Sequence, residues 1–366
     1  MPDRPVLVTG LAVRCAYGAG SEPLLAGVYA GEPGFGPVDR FPVDRCRTAV
    51  AAMLPGTPSL AGELAAVVEE ACTAAELPRL GVGRVRAGSP MLLAAHAGRD
   101  VTAVAVEVAA ATGLSTPDRV YTAACVAASS AAADAAAGIA AGRLDRAVVA
   151  AGFLVDAGIF GLFDAGRALA RDGRVRPFSA GRQGILLGDG VAAVVLEAGG
   201  TTRGAPALAT LAGWGRAGDA YHVCQPRPDG VGLARAVTAA LARAGVPAAE
   251  VGYVNANGTG TPASDAAESA ALRLVFGDAL ARVPVSSTKS VHGHALEASA
   301  LLELVVTVLA LRAGRLPVNA GFLAADPDCP LDLVLASPRP VRPRYALSLN
   351  AAFGGANTAL LVGAVA

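Results

Sequence analysis

An α/β fold with covered sheets, built as two similar halves, is what this sequence predicts, and three observations carry that prediction. Short β-branched or aliphatic runs alternate with helical stretches along the chain, the pattern of helices laid over sheets. The alternation occurs on both sides of a polar, glycine-rich stretch at 199–204, which reads as a linker between halves 1–200 and 201–366. At 366 residues the chain is more than twice a typical domain of roughly 150, long enough for a large buried core.

The elements follow in order. Before the linker, 6–13, 146–155 and 190–197 read as buried strands; after it come 208–213, 251–256, 283–287, 345–350 and 358–362. Helices are expected at 129–142, 230–244, 264–276 and 295–313. In the last, Leu301, Leu304, Val305, Val308 and Leu311 recur at helical spacing with few charges. A helix apolar on most sides belongs between layers of the core. The alanine-rich tracts fit tight helix packing rather than disorder.

Composition narrows the function classes. Thirty basic and thirty acidic residues cancel, and charged residues are only 16% of the chain, so no footprint for nucleic acid or an anionic membrane is present. Apolar residues reach 53%, but much of that is alanine, and charges interrupt every window of about 20 residues, so no membrane span is expected. Met1-Pro2-Asp3-Arg4 leads into a short apolar run, Val6-Leu7-Val8, too brief for a secretion signal, so a cytoplasmic location is expected. Cys15, Cys46, Cys72, Cys125, Cys224 and Cys329 form no C-x-x-C pair or metal spacing, so reduced thiols and no metal are expected. Lys289 is the only lysine, which marks a position where a compact ammonium is wanted rather than a guanidinium.

Four segments can carry chemistry. In 120–130, Cys125 lies between an extended stretch and a small-residue helix, where the helix dipole would lower the thiol below its free value of about 8.5 and make it the first of the six to be alkylated. The alternative, and the reading for the other five, is an inert buried cysteine. Segment 253–262 runs from a strand into a glycine turn and presents Asn257, either as a donor to a substrate oxygen or as plain turn chemistry. Segment 286–294 concentrates Lys289 and His294 ahead of the core helix, as a functional pair with perturbed pKa values or as a satisfied structural one. In 349–357 a strand ends in Gly354-Gly355, whose N–H groups can approach a ligand and build an oxyanion hole, or simply turn the chain.

Taken in order, these segments resemble the elongating β-ketoacyl-acyl carrier protein synthases of the thiolase superfamily. The resemblance is carried by VLVTGLAV near the start, TAAC around Cys125, RPFSAGRQGILLGDGVAAVVLE at 176–197, AYH at 220–222, GYVNANGTGTP at 252–262, SSTKSVHGHALEA at 286–298 and AFGGAN at 352–357. It implies a thiolase-like, five-layered αβαβα fold, a homodimer or a heterodimer with another ketosynthase subunit, and no cofactor beyond the phosphopantetheine arm of an acyl carrier protein that brings the thioester substrates. It puts the nucleophile at Cys125, the two catalytic histidine positions at Asn257 and His294, and the active-site lysine at Lys289. Thr259, Ala351, Phe353 and Gly354 fall around the oxyanion hole and pocket. The implied chemistry is ping-pong: acyl transfer to the cysteine, then decarboxylation of a malonyl thioester and attack of the enolate on the acyl-enzyme.

Three departures qualify that expectation. The family's HGTGT is NGTGT here, so Asn257 stands where a histidine would, and an amide neither carries positive charge nor shuttles a proton. The family's SFGFGGTN keeps its gating aromatic as Phe353, but the first aromatic is Ala351, which should open or reshape the pocket. Upstream of Cys125, chiefly within 81–118, the chain is far shorter than the family, whose extra loops there wall the acyl pocket. Two functions follow: a ketosynthase-like acyltransferase impaired in malonyl decarboxylation, or a chain-length-factor-like partner subunit that does not condense. Retention of Cys125, Lys289 and His294 favours the first; Asn257, Ala351 and the shortened loops favour the second. A coenzyme A thiolase would need a second cysteine in the later half, and Cys329, in Asp326-Pro327-Asp328-Cys329-Pro330, reads as part of a surface turn.

Overall fold

The computed structural model describes residues 4–78, 86, 88–96, 100–200 and 205–365. The linker expected at 199–204 falls largely outside them, as do 81–85, 87 and 97–99 of the shortened stretch.

Ten strands supply the framework: β1 Val6–Cys15, β2 Met91–Ala95, β3 Val120–Tyr121, β4 Arg146–Phe153, β5 Gly190–Ala198, β6 Ala209–Gly218, β7 Val251–Asn255, β8 Pro284–Ser286, β9 Tyr345–Ala352 and β10 Ala356–Gly363. The first five lie in the order β3-β2-β4-β5-β1 and the second five in the order β8-β7-β9-β10-β6. Numbered within each set, both read 3-2-4-5-1. The pairing senses repeat as well: the second strand runs parallel to the third and fourth, and the fifth antiparallel to the fourth and first. The sets join where β1 meets β6 antiparallel, Leu7 opposite Thr210 and Val8 opposite Ala209.

Six helices cover these strands: α1 Leu60–Ala74, α2 Val101–Thr112, α3 Ala127–Ala140, α4 Val231–Ala244, α5 Pro262–Phe276 and α6 Ser299–Ala313. Helices α3 and α6 lie between the two sets of strands and touch both, and one buried apolar cluster joins them to the inner sheet faces. Helices α1 and α2 cover the outer face of the first set, and α4 with α5 the outer face of the second. The result is the five-layered αβαβα arrangement expected. Alanine and glycine make it possible: a Cβ on Gly215 would sit 1.9 Å from the Ala236 carbonyl oxygen of α4, so only glycine lets that helix lie this close to β6.

The core helix behaves as its sequence predicts, since Leu301, Leu304, Val305, Val308 and Leu311 are all buried. It begins later than expected, at Ser299, because Leu296 sits at φ +40° in a short 3₁₀ turn, Leu296–Ala298. Cys329 lies in the surface turn expected, with Pro327, Asp328 and Pro330 exposed and its N–H on the Asp326 carbonyl at 3.0 Å. Its own side chain, however, points inward at 4% exposure, where loss of hydration pushes its thiol up to about 12. Among the described residues no helix is long and apolar enough to cross a membrane.

Candidate active site

Strand β3 ends in a 3₁₀ turn, Ala124–Val126, that leads directly into α3. Ala124 is held at φ +47°, a bend rare outside glycine, and it sets Cys125 at the first turn of the helix, where backbone N–H groups lack intrahelical partners. Cys125 is 8% exposed. Its Sγ lies 3.1 Å from His294 Nε2, and His294 Nδ1 is 2.7 Å from Ser299 Oγ. Ser299 Oγ also accepts from the Ala295 N–H at 2.9 Å. The tautomer protonated on Nδ1 donates to Ser299 and leaves the Nε2 lone pair facing the thiol.

The histidine loop is fixed by the GILLGDG segment. His294 N–H donates to the Leu186 carbonyl at 2.8 Å, and Gly188 N–H donates to the His294 carbonyl at 3.0 Å. A Cβ on Gly188 would meet the His292 carbonyl oxygen at 2.2 Å, so this close approach requires glycine. His292 itself is spent on structure, with Nε2 on Thr288 Oγ1 and Nδ1 on the Gly293 carbonyl, and burial lowers it to about 4.

Burial pushes the Cys125 thiol up to about 12, against the opposing pull of the Lys289 ammonium. The thiolate expected from the helix dipole is therefore outweighed by desolvation. Burial, and after it the positive charge of Lys289, hold His294 well below the ordinary imidazole value. The resting pair is a neutral thiol beside a neutral imidazole in hydrogen-bond contact, an arrangement that suits a nucleophile and its base.

Lys289 is not a free group in the pocket. It is buried, with Nζ 2.5 Å from Glu303 Oε1 on α6, 2.8 Å from the Asn257 carbonyl and 3.4 Å from Asn257 Oδ1. Glu303 Oε2 accepts in turn from Asn350 Nδ2 at 2.6 Å. The NGTG loop is clamped from α5 by two further carboxylates. Glu268 accepts from the Asn257 and Gly258 N–H groups at 2.8 and 2.7 Å, and Asp265 from those of Gly260 and Phe178 at 3.1 and 2.8 Å. Burial outweighs these bonds and raises both carboxyls to about 7.

Cys125, His294, Thr259, Ala351 and Phe353 line one pocket, together with Phe163, Ile185, Asp219 and Cys224. Phe353 is 56% exposed and stacks on Phe163, ring centroids 6.1 Å apart, so two rings flank the entrance. Asn257 instead lines an adjoining small cavity with Glu268 and Arg227, and the two spaces share Asp219, Pro226, Ser264, Ala351 and Asn357. Gly354 departs from its expected part: its N–H donates to the Val223 carbonyl at 2.8 Å, and that of Gly355 to Ala352 at 3.1 Å. Neither glycine N–H is left for an oxyanion. Cys224, expected to be inert and buried, is exposed on the pocket's rim.

Sequence reasoning missed the three acids that hold the loop. The signal existed for Glu303, a single carboxylate within an otherwise uncharged run of the core helix, which must find a partner once buried. Phe163, Asp219 and Ile185 arrive from distant segments and carry no local mark.

The family description "Beta-ketoacyl synthase, N-terminal domain" matches residues 84–200, and "Beta-ketoacyl synthase, C-terminal domain" matches residues 208–323. The chain is 41% identical over 265 residues to Nodulation protein E of Rhizobium meliloti, covering 71% of this chain and 65% of that protein. It is 37% identical over 205 residues to 3-oxoacyl-[acyl-carrier-protein] synthase 2 of Staphylococcus aureus, covering 54% and 51%. The chain thus spans between half and two-thirds of these relatives. Among solved structures, "The ishigamide ketosynthase/chain length factor" superposes with a TM-score of 0.90 at 27% identity over all of both chains. A beta-ketoacyl synthase from Burkholderia phymatum STM815 superposes with a TM-score of 0.87 at 27% identity, over 99% of this chain and 100% of that one. With these matches over the fold and site described, the chain belongs to the beta-ketoacyl synthase family.

Proposed function

We propose that this chain is a ketosynthase-type acyltransferase that accepts acyl groups from acyl-carrier-protein thioesters onto Cys125 and is slow in malonyl decarboxylation. The observation that carries this is the Cys125–His294 contact of 3.1 Å with the ring anchored on Ser299. As Cys125 attacks the thioester carbonyl, its proton passes to His294 Nε2. The carbonyl oxygen takes the negative charge against the Cys125 and Phe353 N–H groups. Collapse expels the carrier thiolate, which recovers the proton from His294, and leaves the acyl group on Sγ.

Condensation needs a second step: a malonyl thioester loses carbon dioxide, and the enolate attacks the acyl-enzyme and releases Cys125. Negative charge then builds on the malonyl thioester oxygen. Asn257 offers only a neutral amide there, and charge-assisted hydrogen bonds are roughly twice as strong as neutral ones. Lys289 acts through structure, holding the Asn257 carbonyl and favouring anionic sulfur at Cys125. The carrier's phosphopantetheine arm is the only cofactor this chemistry asks for. A dimeric assembly in the cytoplasm fits the family.

A second reading, a non-condensing partner subunit, is favoured by Asn257, an amide that lines the adjoining cavity and not the pocket of Cys125 and His294. Labelled acyl- and malonyl-carrier proteins separate the two. The purified protein is expected to become acylated while releasing carbon dioxide slowly, and Asn257→His to raise decarboxylation by about tenfold or more without altering acylation. Absence of acylation in both forms would hand the case to the partner subunit.

A further inference from the structure

The turn that carries Cys125 has a counterpart in the second half. Ala124, at φ +47°, precedes Cys125-Val126 and α3; Leu296, at φ +40°, precedes Glu297-Ala298 and α6. Both helices connect the third and fourth strands of their set, and the two turns pack against each other. Glu297 therefore holds in the second half the position that Cys125 holds in the first. Strained elbows of this kind persist where the surrounding structure fixes them, and they cluster at sites.

The correspondence extends to what faces each elbow. Asn257 lies just beyond the second strand of the later set and flanks the Cys125 pocket. His96 directly follows β2, the second strand of the earlier set, and its Nδ1 lies 2.9 Å from Glu297 Oε1. Glu297 is 3% exposed, and its Oε2 has no hydrogen-bond partner among the described residues. A carboxylate oxygen withdrawn from water without a partner is costly. His96, at 36% side-chain exposure, lines a cleft of about 650 Å³ with Phe153, Leu60, Val104 and Ile159. The Phe153 ring stands edge-on to the imidazole at 6.5 Å.

We propose that this cleft binds the distal part of the chain borne on the thioester, and that His96 and Glu297 select chains carrying a hydrogen-bond donor, a hydroxyl or amide N–H, over plain alkyl chains. The proposal rests on the thioester chemistry proposed above. Ile159 of the cleft and Phe163 of the Cys125 pocket lie one turn apart on the helix Ala157–Ala165, so a chain leaving Cys125 reaches the cleft along that helix. His96 donates from Nδ1 to Glu297 and turns Nε2 toward the cleft as an acceptor. A plain alkyl chain would bury that acceptor unpaired, whereas a donor on the chain satisfies it. The apolar walls take the methylene groups. Glu297 is here a positioning residue, fixing the ring and its tautomer.

The test compares octanoyl and 7-hydroxyoctanoyl pantetheine in which an amide replaces the thioester, titrated calorimetrically into the intact protein. The hydroxylated analogue is expected to bind about tenfold tighter, the worth of one hydrogen bond. His96→Leu should abolish the preference, and Glu297→Gln should reduce it while the conservative Glu297→Asp largely restores it. Equal binding of the two analogues, binding of neither, or a preference that survives His96→Leu would overturn the proposal; the comparison on the unmodified protein decides even if a variant does not fold. Because the analogues cannot transfer their acyl group, this result stands apart from acylation of Cys125: acylation without chain preference removes only the present proposal, and chain preference without acylation removes only the catalytic one.

Discussion

The two halves share one strand order yet place their charges differently. Helix α3 of the first half is alanine-rich, and its buried polar contact near Cys125 is a neutral one, Ser129 Oγ with Thr358 Oγ1 at 2.7 Å. The second half buries Lys289, Glu303, Glu268 and Asp265 around one loop. The first half thus supplies a small-walled hole with a thiol, and the second supplies the fixed charge that shapes it. The difference teaches that a duplicated fold can specialise by chemistry without changing topology.

The strongest way to break this contrast is to remove one buried partner from each side. Glu303→Ala strands the Lys289 ammonium in the core and should cost about 3–5 kcal/mol of stability. Ser129→Ala removes a neutral hydrogen bond and should cost on the order of 1 kcal/mol. Urea unfolding of both variants measures it. Equal losses would mean that the charged network carries no special weight.

A smaller effect sharpens the contrast at the pocket itself, where each half contributes a cysteine. Cys125 is buried with its thiol up at about 12, while Cys224 of the second half is exposed on the rim. Iodoacetamide at pH 7.5 should label Cys224 first, with Cys125 slower by roughly tenfold or more, since the thiolate is the reacting form. His294→Ala should slow Cys125 further and leave Cys224 unchanged. Peptide mapping over time reads both. Faster labelling of Cys125 would mean that the His294 contact ionises the thiol in the resting state.

Much of this fold is legible in the sequence wherever burial leaves a continuous apolar record, as in β4, β5 and α6. Helices α1 and α2 were not. In α1 the buried positions Leu64, Val67, Val68, Ala71 and Cys72 have helical spacing, but alanines between them blur the period. In α2 the run VTAVAVEV carries β-branched residues that favour a strand locally, and packing overrides that preference. At the site, Cys125, Lys289 and His294 stand out because each lies in a short segment of unusual composition. What holds them, Glu268, Glu303, Ser299 and the GILLGDG backbone, comes from elsewhere in the chain, where only the cost of burying charge hints at a role. Asn257 was visible as a residue but not as one that lines an adjoining cavity with Glu268, since no local pattern records which space a loop residue borders.

The smallest effect concerns the loop clamp, read through pH. Glu268 is held at about 7 by burial, above the ordinary glutamate value of 4.5. The folded chain therefore keeps a proton that the unfolded chain releases between about pH 4.5 and 7. That contribution to stability is whole below the unfolded value and is lost as pH rises through 7. Glu268→Gln removes it, along with one of the two acceptors for the Asn257 and Gly258 N–H groups. The variant should be less stable at every pH, but the deficit should shrink by about 1.4 kcal/mol per pH unit between 5 and 6.5 and level off above about 7.5. His292 and His294 titrate in both forms and cancel in the difference. Asp265, whose charge helps raise Glu268, is released from that repulsion by the substitution and adds to the slope in the same direction. Urea midpoints of the two proteins across that range give the slope. A deficit that does not change with pH would mean that Glu268 is already ionised at pH 5, its charge held by the two loop N–H groups, and the second half would then carry still more fixed charge than burial alone allows.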